Sequence, residues 1–101
     1  MPDHNIDLSV VVPLYKEEEN IRAFLVRIVP VLSTMAVQYE VIFCLDPSPD
    51  HSQQIVEDEI GRNRNLKLIV FSRRFGQPAA TMAGILSCEG KNCVVIDIDL
   101  Q

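Results

Sequence analysis

The sequence predicts an α/β domain in which a parallel β-sheet alternates with helices. Four short apolar runs, rich in β-branched residues, recur along the chain, and helical patterns lie between them. Apolar strands that alternate with helices are typical of a parallel sheet covered on both faces by right-handed crossovers. At 101 residues and 48% hydrophobic content, the chain is long enough for one folded domain and is not a disordered segment.

The first predicted strand is followed by a long helix. Residues 8–13 form a β-branched run that a proline closes. Residues 17–34 carry apolar side chains at helical spacings of four, three and four, and the glutamates in the first turn complement the helix dipole. Pro30 lies inside this pattern, so we expect the helix to kink or to end early there.

A second strand and helix follow along the chain. Residues 40–45 are an apolar run that stops at a turn rich in proline and aspartate. Asp50 and Gln53 have the spacing of a capping box, which predicts the start of a helix. That helix is expected to run through Ile60 and to end at Gly61.

The third and fourth predicted strands enclose a helix of small residues. Residues 66–71 and 92–96 are apolar runs of strand length. Pro78 stands at a favourable first helical position, and the residues from there to Leu86 are mostly small or apolar. Such a helix can pack closely on a sheet.

Composition and charge exclude several classes of protein. Nine basic and 14 acidic residues give a net charge of −5, whereas nucleic-acid-binding surfaces are basic. No apolar run approaches the roughly 20 residues that span a bilayer. The cysteines, Cys44, Cys88 and Cys93, are odd in number and lack metal-ligand spacing, so we expect buried thiols in a reducing cytoplasm.

The segment after the fourth predicted strand carries a candidate metal site. Asp97, Asp99 and Gln101 occupy alternate positions, so in an extended backbone their side chains project to one side. Carboxylates and an amide oxygen are hard ligands that suit Mg²⁺ or Mn²⁺ rather than zinc. For the Asp-x-Asp pattern alone, a solvated acidic turn is an equally good interpretation.

Polar side chains follow every predicted strand. The carboxyl ends of parallel strands meet at one edge of a sheet, where open α/β sheets bind their ligands. Carboxylates there can accept the N–H groups of a base or the hydroxyls of a ribose, and arginines can face phosphates. The residues at these positions are Tyr15 and Glu17, Asp46, Arg73 and Arg74, and Asp97 and Asp99.

The loop after the first strand, residues 13–20, contains no glycine. A dinucleotide-binding turn or a P-loop needs glycine there so that the backbone can approach a phosphate. NAD, FAD and P-loop nucleotide binding are therefore excluded, and a nucleotide would have to be held by side chains and a metal.

Several segments together resemble family 2 glycosyltransferases of the GT-A fold. Residues 10–21 are similar to the family's first strand and loop, and residues 97–101 are similar to its metal-binding Asp-x-Asp motif. Residues 72–84 narrow the resemblance to the branch of dolichyl-phosphate mannose synthase and the bactoprenol-phosphate glucosyltransferases. The resemblance implies the strand order 3-2-1-4 and assigns residues 1–101 to the nucleotide-sugar-binding portion of the domain, truncated after the Asp-x-Asp motif.

The resemblance also implies roles for individual residues in donor binding. Pro13, Tyr15 and Glu17 would line the nucleoside pocket. Asp46 would accept an N–H of the donor's base, and Arg73 matches an arginine near the donor. The family usually has Asp-Asp-Gly-Ser after the second strand, whereas this chain has a stiffer Asp-Pro-Ser-Pro-Asp segment.

The implied reaction is an inverting transfer of a hexose from a UDP- or GDP-linked sugar to a polyprenyl phosphate. Asp97 would contact the donor and, together with Asp99 and Gln101, would bind Mg²⁺ or Mn²⁺ on the diphosphate. No residue has the sequence position of a catalytic base, and the acceptor phosphate is already anionic. The resemblance places the full-length protein at the cytoplasmic face of a membrane.

Family members continue with an acceptor-binding half and often with membrane-associated helices. The resemblance therefore implies an N-terminal fragment that is inactive alone and that can self-associate through an open fourth strand. The alternative is a non-catalytic nucleotide- or metal-binding module, such as a receiver-like domain with an acidic pocket. A receiver would need a fifth strand, which the sequence does not predict.

Overall fold

The computed structural model describes residues 6–74 and 76–98. Within these residues the strands are β1 (Leu8–Leu14), β2 (Tyr39–Leu45), β3 (Leu66–Val70) and β4 (Asn92–Val95). The helices are α1 (Ile21–Thr34), α2 (Ser52–Ile60) and α3 (Gln77–Ser87). All neighbouring strands are parallel and the order is β3-β2-β1-β4, which confirms the α/β class and the predicted strand order. Receiver-like domains have the order 2-1-3-4-5, so this sheet is not receiver-like.

The central strands β1 and β2 are buried on both faces, as their continuous apolar runs predict. On one face Val10 and Val12 belong to a core cluster with Phe24 of α1 and Phe43 of β2. The two phenylalanine rings meet edge to face, with centroids 6.3 Å apart. This larger cluster fixes α1 and α2 against the sheet.

Helix α3 covers the opposite face at very close range. A Cβ atom at Gly84 would lie 2.4 Å from Val11 Cγ1 and 2.7 Å from Cys44 Sγ, so only glycine allows this approach. Ala80, one turn earlier, is buried in the small cluster that Val11 and Ile42 form on this face. The small residues of α3 therefore position its N-terminus at the carboxyl end of the sheet.

Helix α1 begins at Ile21, later than the predicted residue 17, and ends at Thr34, the last residue of the predicted pattern. Residues 17–20, which were expected to form the first helical turn, form a separate hydrogen-bonded turn before the helix. Side chains of Asp50 and Ser52 bind the backbone N–H groups of this turn. Pro30 does not end the helix, which continues to Thr34. Pro30 lies on the exposed side together with Val26, whose carbonyl loses its intrahelical donor and can bond to water instead.

The predicted capping box of α2 does not form. The helix begins at Ser52, and the Gln53 side chain donates a hydrogen bond to Glu57 instead of returning to the helix start. The N-cap residue is His51, whose side chain makes no capping hydrogen bond, but Asp50 Oδ1 accepts the N–H of Ser52, the first helical residue, at 3.1 Å.

None of the helices within residues 6–74 and 76–98 has the length and apolar character needed to cross a bilayer.

Candidate functional site

A polar pocket of about 250 Å³ lies at the carboxyl ends of β1 and β2. The pocket also borders the N-terminus of α3. Its wall therefore combines three segments of the chain: residues 13–17, residue 46 and residues 74–80. Its lining residues are Pro13, Leu14, Tyr15, Glu17, Asp46, Arg74, Gly76, Gln77 and Ala80.

Asp46 connects the end of β2 to the start of α3. The residue is 2% exposed, and its Oδ2 accepts the backbone N–H of Gly76 at 2.9 Å. Its own N–H donates to the carbonyl of Leu14 at 3.1 Å, which continues the pairing of β2 with β1. Gly76 has φ +91°, a conformation that favours glycine. A carboxylate can accept about four hydrogen bonds, so binding Gly76 is compatible with binding a ligand N–H.

Tyr15 and Arg74 form the rim of the pocket. The guanidinium carbon of Arg74 lies 3.9 Å from the centroid of the Tyr15 ring, which is a close cation–π contact. Lys16 places its Nζ 5.4 Å from the same ring. Lys16 also has φ +54°, so the loop that presents Tyr15 has a backbone conformation that side-chain-bearing residues rarely adopt.

The loop that carries Glu17 is fixed by the segment before α2. The N–H of Glu17 donates to Ser52 Oγ at 3.1 Å, and the N–H of Glu18 donates to Asp50 Oδ2 at 3.3 Å. Burial alone would raise the pKa of Asp50, but hydrogen bonds from Ser48, Ser52 and Glu18 outweigh it and hold the pKa below its ordinary value. Asp50 therefore connects the loop that follows β1 to the segment between β2 and α2.

Asp97 follows β4 and lies on the exposed side of the site. Its Oδ1 accepts a hydrogen bond of 3.0 Å from Nε2 of Gln77, which lines the pocket. The other predicted metal ligands, Asp99 and Gln101, lie outside the described residues. Among residues 6–74 and 76–98, no three or more His, Cys, Asp or Glu side chains are grouped as they would be around a metal ion.

The structure thus brings together most residues that the sequence predicted for the nucleoside pocket. Pro13, Tyr15, Glu17 and Asp46 share its wall. Among the described residues Arg74 lines the pocket and Arg73 does not, so a donor contact by Arg73 stays a prediction. Sequence reasoning missed the pocket positions before and within α3, although they lie in the same segment that carries the resemblance; they are Gly76, Gln77 and Ala80.

A second cavity of about 520 Å³ lies between α1, α2 and the start of β3. Its wall is largely apolar, with Leu25, Val29 and Leu66 among the lining residues. None of the predicted site residues lines it. The smaller cavity is therefore the candidate site, because polar groups from separate segments converge there.

Comparison with protein families identifies the group to which the sequence is related. The family model described as glycosyl transferase family 2 matches residues 9–101, which is most of the chain. The chain belongs to glycosyl transferase family 2. This membership confirms the resemblance inferred from the sequence segments.

Curated relatives agree with the family. An uncharacterised glycosyltransferase of Synechocystis is 38% identical over 96 residues, which are 95% of this chain and 30% of the relative. An undecaprenyl-phosphate 4-deoxy-4-formamido-L-arabinose transferase of Pseudomonas fluorescens is 36% identical over 95 residues, which are 93% of this chain and 28% of the relative. The chain thus spans about 30% of the length of these relatives.

Solved structures confirm the GT-A type of fold. S. aureus TarS 1–349 in complex with UDP-GlcNAc superposes with a TM-score of 0.75 and 28% identity, over 93% of this chain and 27% of that chain. A mannosyltransferase of Pyrobaculum calidifontis, solved with GDP-Man and Mn²⁺, has a TM-score of 0.78 and 22% identity, over 98% of this chain and 30% of that one. At that identity the second match shows the shared fold alone.

Proposed function

We propose that this chain is the donor-binding portion of a glycosyltransferase that uses a nucleotide sugar. The observation that carries the proposal is the convergence of Tyr15, Glu17 and Asp46 on one pocket at the carboxyl end of the sheet of a family 2 member. The complex of TarS with UDP-GlcNAc supports a nucleoside diphosphate sugar as the ligand class. The donor is a UDP- or GDP-linked hexose.

Five of the residues that line the pocket have roles in this proposal. Asp46 accepts an N–H of the base while its other contact holds Gly76 in place. Pro13 and Tyr15 form the wall against the nucleoside, and Glu17 accepts a ribose hydroxyl. The guanidinium of Arg74 stacks on the Tyr15 ring and orients that ring against the nucleoside.

The metal belongs to the same proposal. Asp97, Asp99 and Gln101 would hold Mg²⁺ or Mn²⁺, since carboxylate and amide oxygens match the preference of these cations. Asp97 fits this role because its hydrogen bond to Gln77 keeps its carboxylate at the edge of the pocket. When bound, the cation neutralises negative charge on the diphosphate leaving group.

The acceptor is a polyprenyl phosphate, and the transfer inverts the configuration of the sugar. The undecaprenyl-phosphate sugar transferases among the relatives support this acceptor class. A phosphate acceptor is already anionic near neutral pH, so the reaction needs less help from a general base than a sugar hydroxyl would. A lipid-linked acceptor places the reaction at a membrane, and a nucleotide-sugar donor places it on the cytoplasmic face.

Calorimetry with UDP and GDP tests the donor site. Binding of one nucleotide should require Mn²⁺ or Mg²⁺ and should be lost with a chelator. Asp97→Ala should weaken the metal-dependent binding, whereas Asp58→Ala, which changes an exposed aspartate on α2, should leave it unchanged. Equal affinity with and without metal, or unchanged affinity in both Asp97→Ala and Asp99→Ala, would refute the metal site.

A further inference from the structure

Two cysteine side chains meet at the amino end of the sheet, at the opposite end of α3 from the nucleotide pocket. Cys88 directly follows α3 and Cys93 lies in β4. Their Sγ atoms are 3.0 Å apart, and both cysteines are free. A disulfide requires about 2.05 Å between the sulfurs, so closure needs a movement of only about 1 Å.

Hydrogen bonds and strand pairing hold the backbone around this pair. The Cys88 thiol donates to the carbonyl of Gly84 at 3.3 Å. Cys93 is fixed by the parallel pairing of β4 with β1, where it lies opposite Ser9. Between the cysteines, the N–H of Glu89 donates to Glu40 Oε2 at 2.8 Å.

The turn between the cysteines also packs tightly on β1. The N–H of Gly90 donates to Ser9 Oγ at 2.9 Å, and a Cβ atom at Gly90 would lie 2.6 Å from that oxygen. The hydrogen bond and the close packing hold the turn against β1. The thiols are therefore preorganised, and little conformational entropy remains to be lost when they join.

We propose that Cys88 and Cys93 form a reversible dithiol–disulfide site that low-molecular-weight disulfides such as oxidised glutathione can oxidise. The site is independent of the proposed nucleotide binding, and neither cysteine lines the pocket.

The reaction proceeds by two exchanges. The Cys93 thiolate attacks the small disulfide, forms a mixed disulfide and releases one small thiol. The Cys88 thiolate then attacks the Cys93 sulfur, forms the intramolecular bond and releases the second small thiol. The two protein thiols lose two protons and two electrons in total, and both small thiols leave reduced.

The surroundings of the cysteines determine this order of attack. Cys93 is exposed and accessible to a reagent, whereas Cys88 is half-buried. Burial raises the pKa of the Cys88 thiol to about 12, and the hydrogen bond with Cys93 adds to the rise. Cys44 is fully buried and inaccessible to a reagent, so it serves as an unreactive internal control.

Peptide mapping in glutathione buffers tests the proposal. The folded chain is equilibrated with oxidised and reduced glutathione, quenched in acid, alkylated under denaturing conditions and digested with trypsin. Lys91 lies between the two cysteines, so trypsin separates them and a disulfide joins two otherwise separate peptides. We expect the joined peptides to increase with the oxidised fraction of the buffer and to disappear with dithiothreitol.

Variants that lack one of the two cysteines test the proposed order of attack. Cys88→Ser should stop at a glutathione mixed disulfide on Cys93, and Cys93→Ser should remain largely unmodified. The proposal is wrong if the wild-type chain also stops at the mixed disulfide, if it forms only intermolecular disulfides, or if the joined peptides contain Cys44.

Discussion

The two ends of β2 each carry a buried carboxylate, and each carboxylate binds one end of α3. Glu40 near the start of the strand is 1% exposed, and Asp46 just past its end is 2% exposed. Asp46 accepts the N–H of Gly76 before the helix, and Glu40 accepts the N–H of Glu89 after it. The residues are an even number of positions apart, so both side chains project to the face that α3 covers.

The two carboxylates differ in what else surrounds them. Glu40 forms an ion pair with Lys67 and accepts the hydroxyl hydrogen of Ser9 at 2.6 Å, which makes it the centre of a closed polar network. Asp46 lines the pocket. The same chemical arrangement thus lies in a closed network at the amino end of the sheet and beside an open pocket at the carboxyl end. Open α/β sheets bind ligands at that second end.

The largest expected effect comes from removing the carboxylate of the closed network. Glu40→Ala should lower the free energy of unfolding by about 2–4 kcal/mol, because it leaves the buried hydroxyl of Ser9 and the partly buried N–H of Glu89 without their acceptor. Lys67 is partly exposed and can be solvated, which limits the loss. Urea denaturation measures the change, and the nucleotide affinity of the folded fraction should stay as in the wild type.

A matched control lies in the same turn. Glu89 contributes its backbone to the network, and the residue is exposed. Glu89→Ala should therefore change the free energy of unfolding by no more than about 0.5 kcal/mol. Equal losses in Glu40→Ala and Glu89→Ala would show that the network does not stabilise the fold.

The second expected effect is on binding instead of stability. Asp46→Asn keeps an oxygen that can accept the N–H of Gly76 but exchanges a charged acceptor for an amide. We expect UDP or GDP binding to weaken by about 1.5–3 kcal/mol, roughly 10- to 150-fold, with unchanged binding of pyrophosphate. Calorimetry with the nucleotides and with pyrophosphate measures both. If pyrophosphate binding weakens to the same degree, Asp46 shapes the loop and does not bind the base.

The sequence predicted the strands and the residues at their carboxyl ends because those signals are local. The continuous apolar runs define β1 and β2, and the polar residues directly after a strand have their position fixed by the strand. The network around Glu40 was not predictable in this way. Lys67 lies 27 residues away in β3, and the pairing depends on a register that only the folded sheet defines.

The missed details of the site have similar causes. The choice between Arg73 and Arg74 depends on which side chain turns toward Tyr15, and neighbouring residues in a loop carry no periodic signal. The start of α1 depends on tertiary hydrogen bonds, since Asp50 and Ser52 bind the N–H groups of residues that would otherwise begin the helix. Helix propensity only weakly determines where a helix begins when such tertiary contacts compete with it.

The pH dependence of stability provides a separate test of the network around Glu40. Burial alone would raise the pKa of Glu40, but bonds from Glu89, Lys67 and Ser9 and the charge of Lys67 outweigh it and lower the pKa below the ordinary 4.5. The unfolded chain therefore binds a proton at Glu40 more readily than the folded chain in acid. The resulting stabilisation is complete above that ordinary value and is lost as the pH falls through the lower folded pKa.

Urea denaturation between about pH 6 and about pH 3 measures this dependence. The loss of unfolding free energy on acidification should be smaller in Glu40→Gln than in the wild type, because glutamine cannot titrate. Asp50, whose pKa is also lowered, remains in both proteins and accounts for part of the common slope. Parallel curves for the two proteins would contradict a contribution from Glu40.

The smallest expected effect concerns the arginine at the rim of the pocket. Arg74 stacks on Tyr15 in an exposed position, where a cation–π contact contributes about 0.5–1 kcal/mol. Arg74→Gln should therefore weaken nucleotide binding by roughly two- to fivefold, because Tyr15 loses the contact that orients it. The matched variant Arg73→Gln changes the neighbouring arginine, which does not line the pocket, and should have a smaller effect. If Arg73→Gln instead weakens binding more than Arg74→Gln, the donor contact belongs to Arg73 and the Tyr15–Arg74 stack does not contribute to recognition.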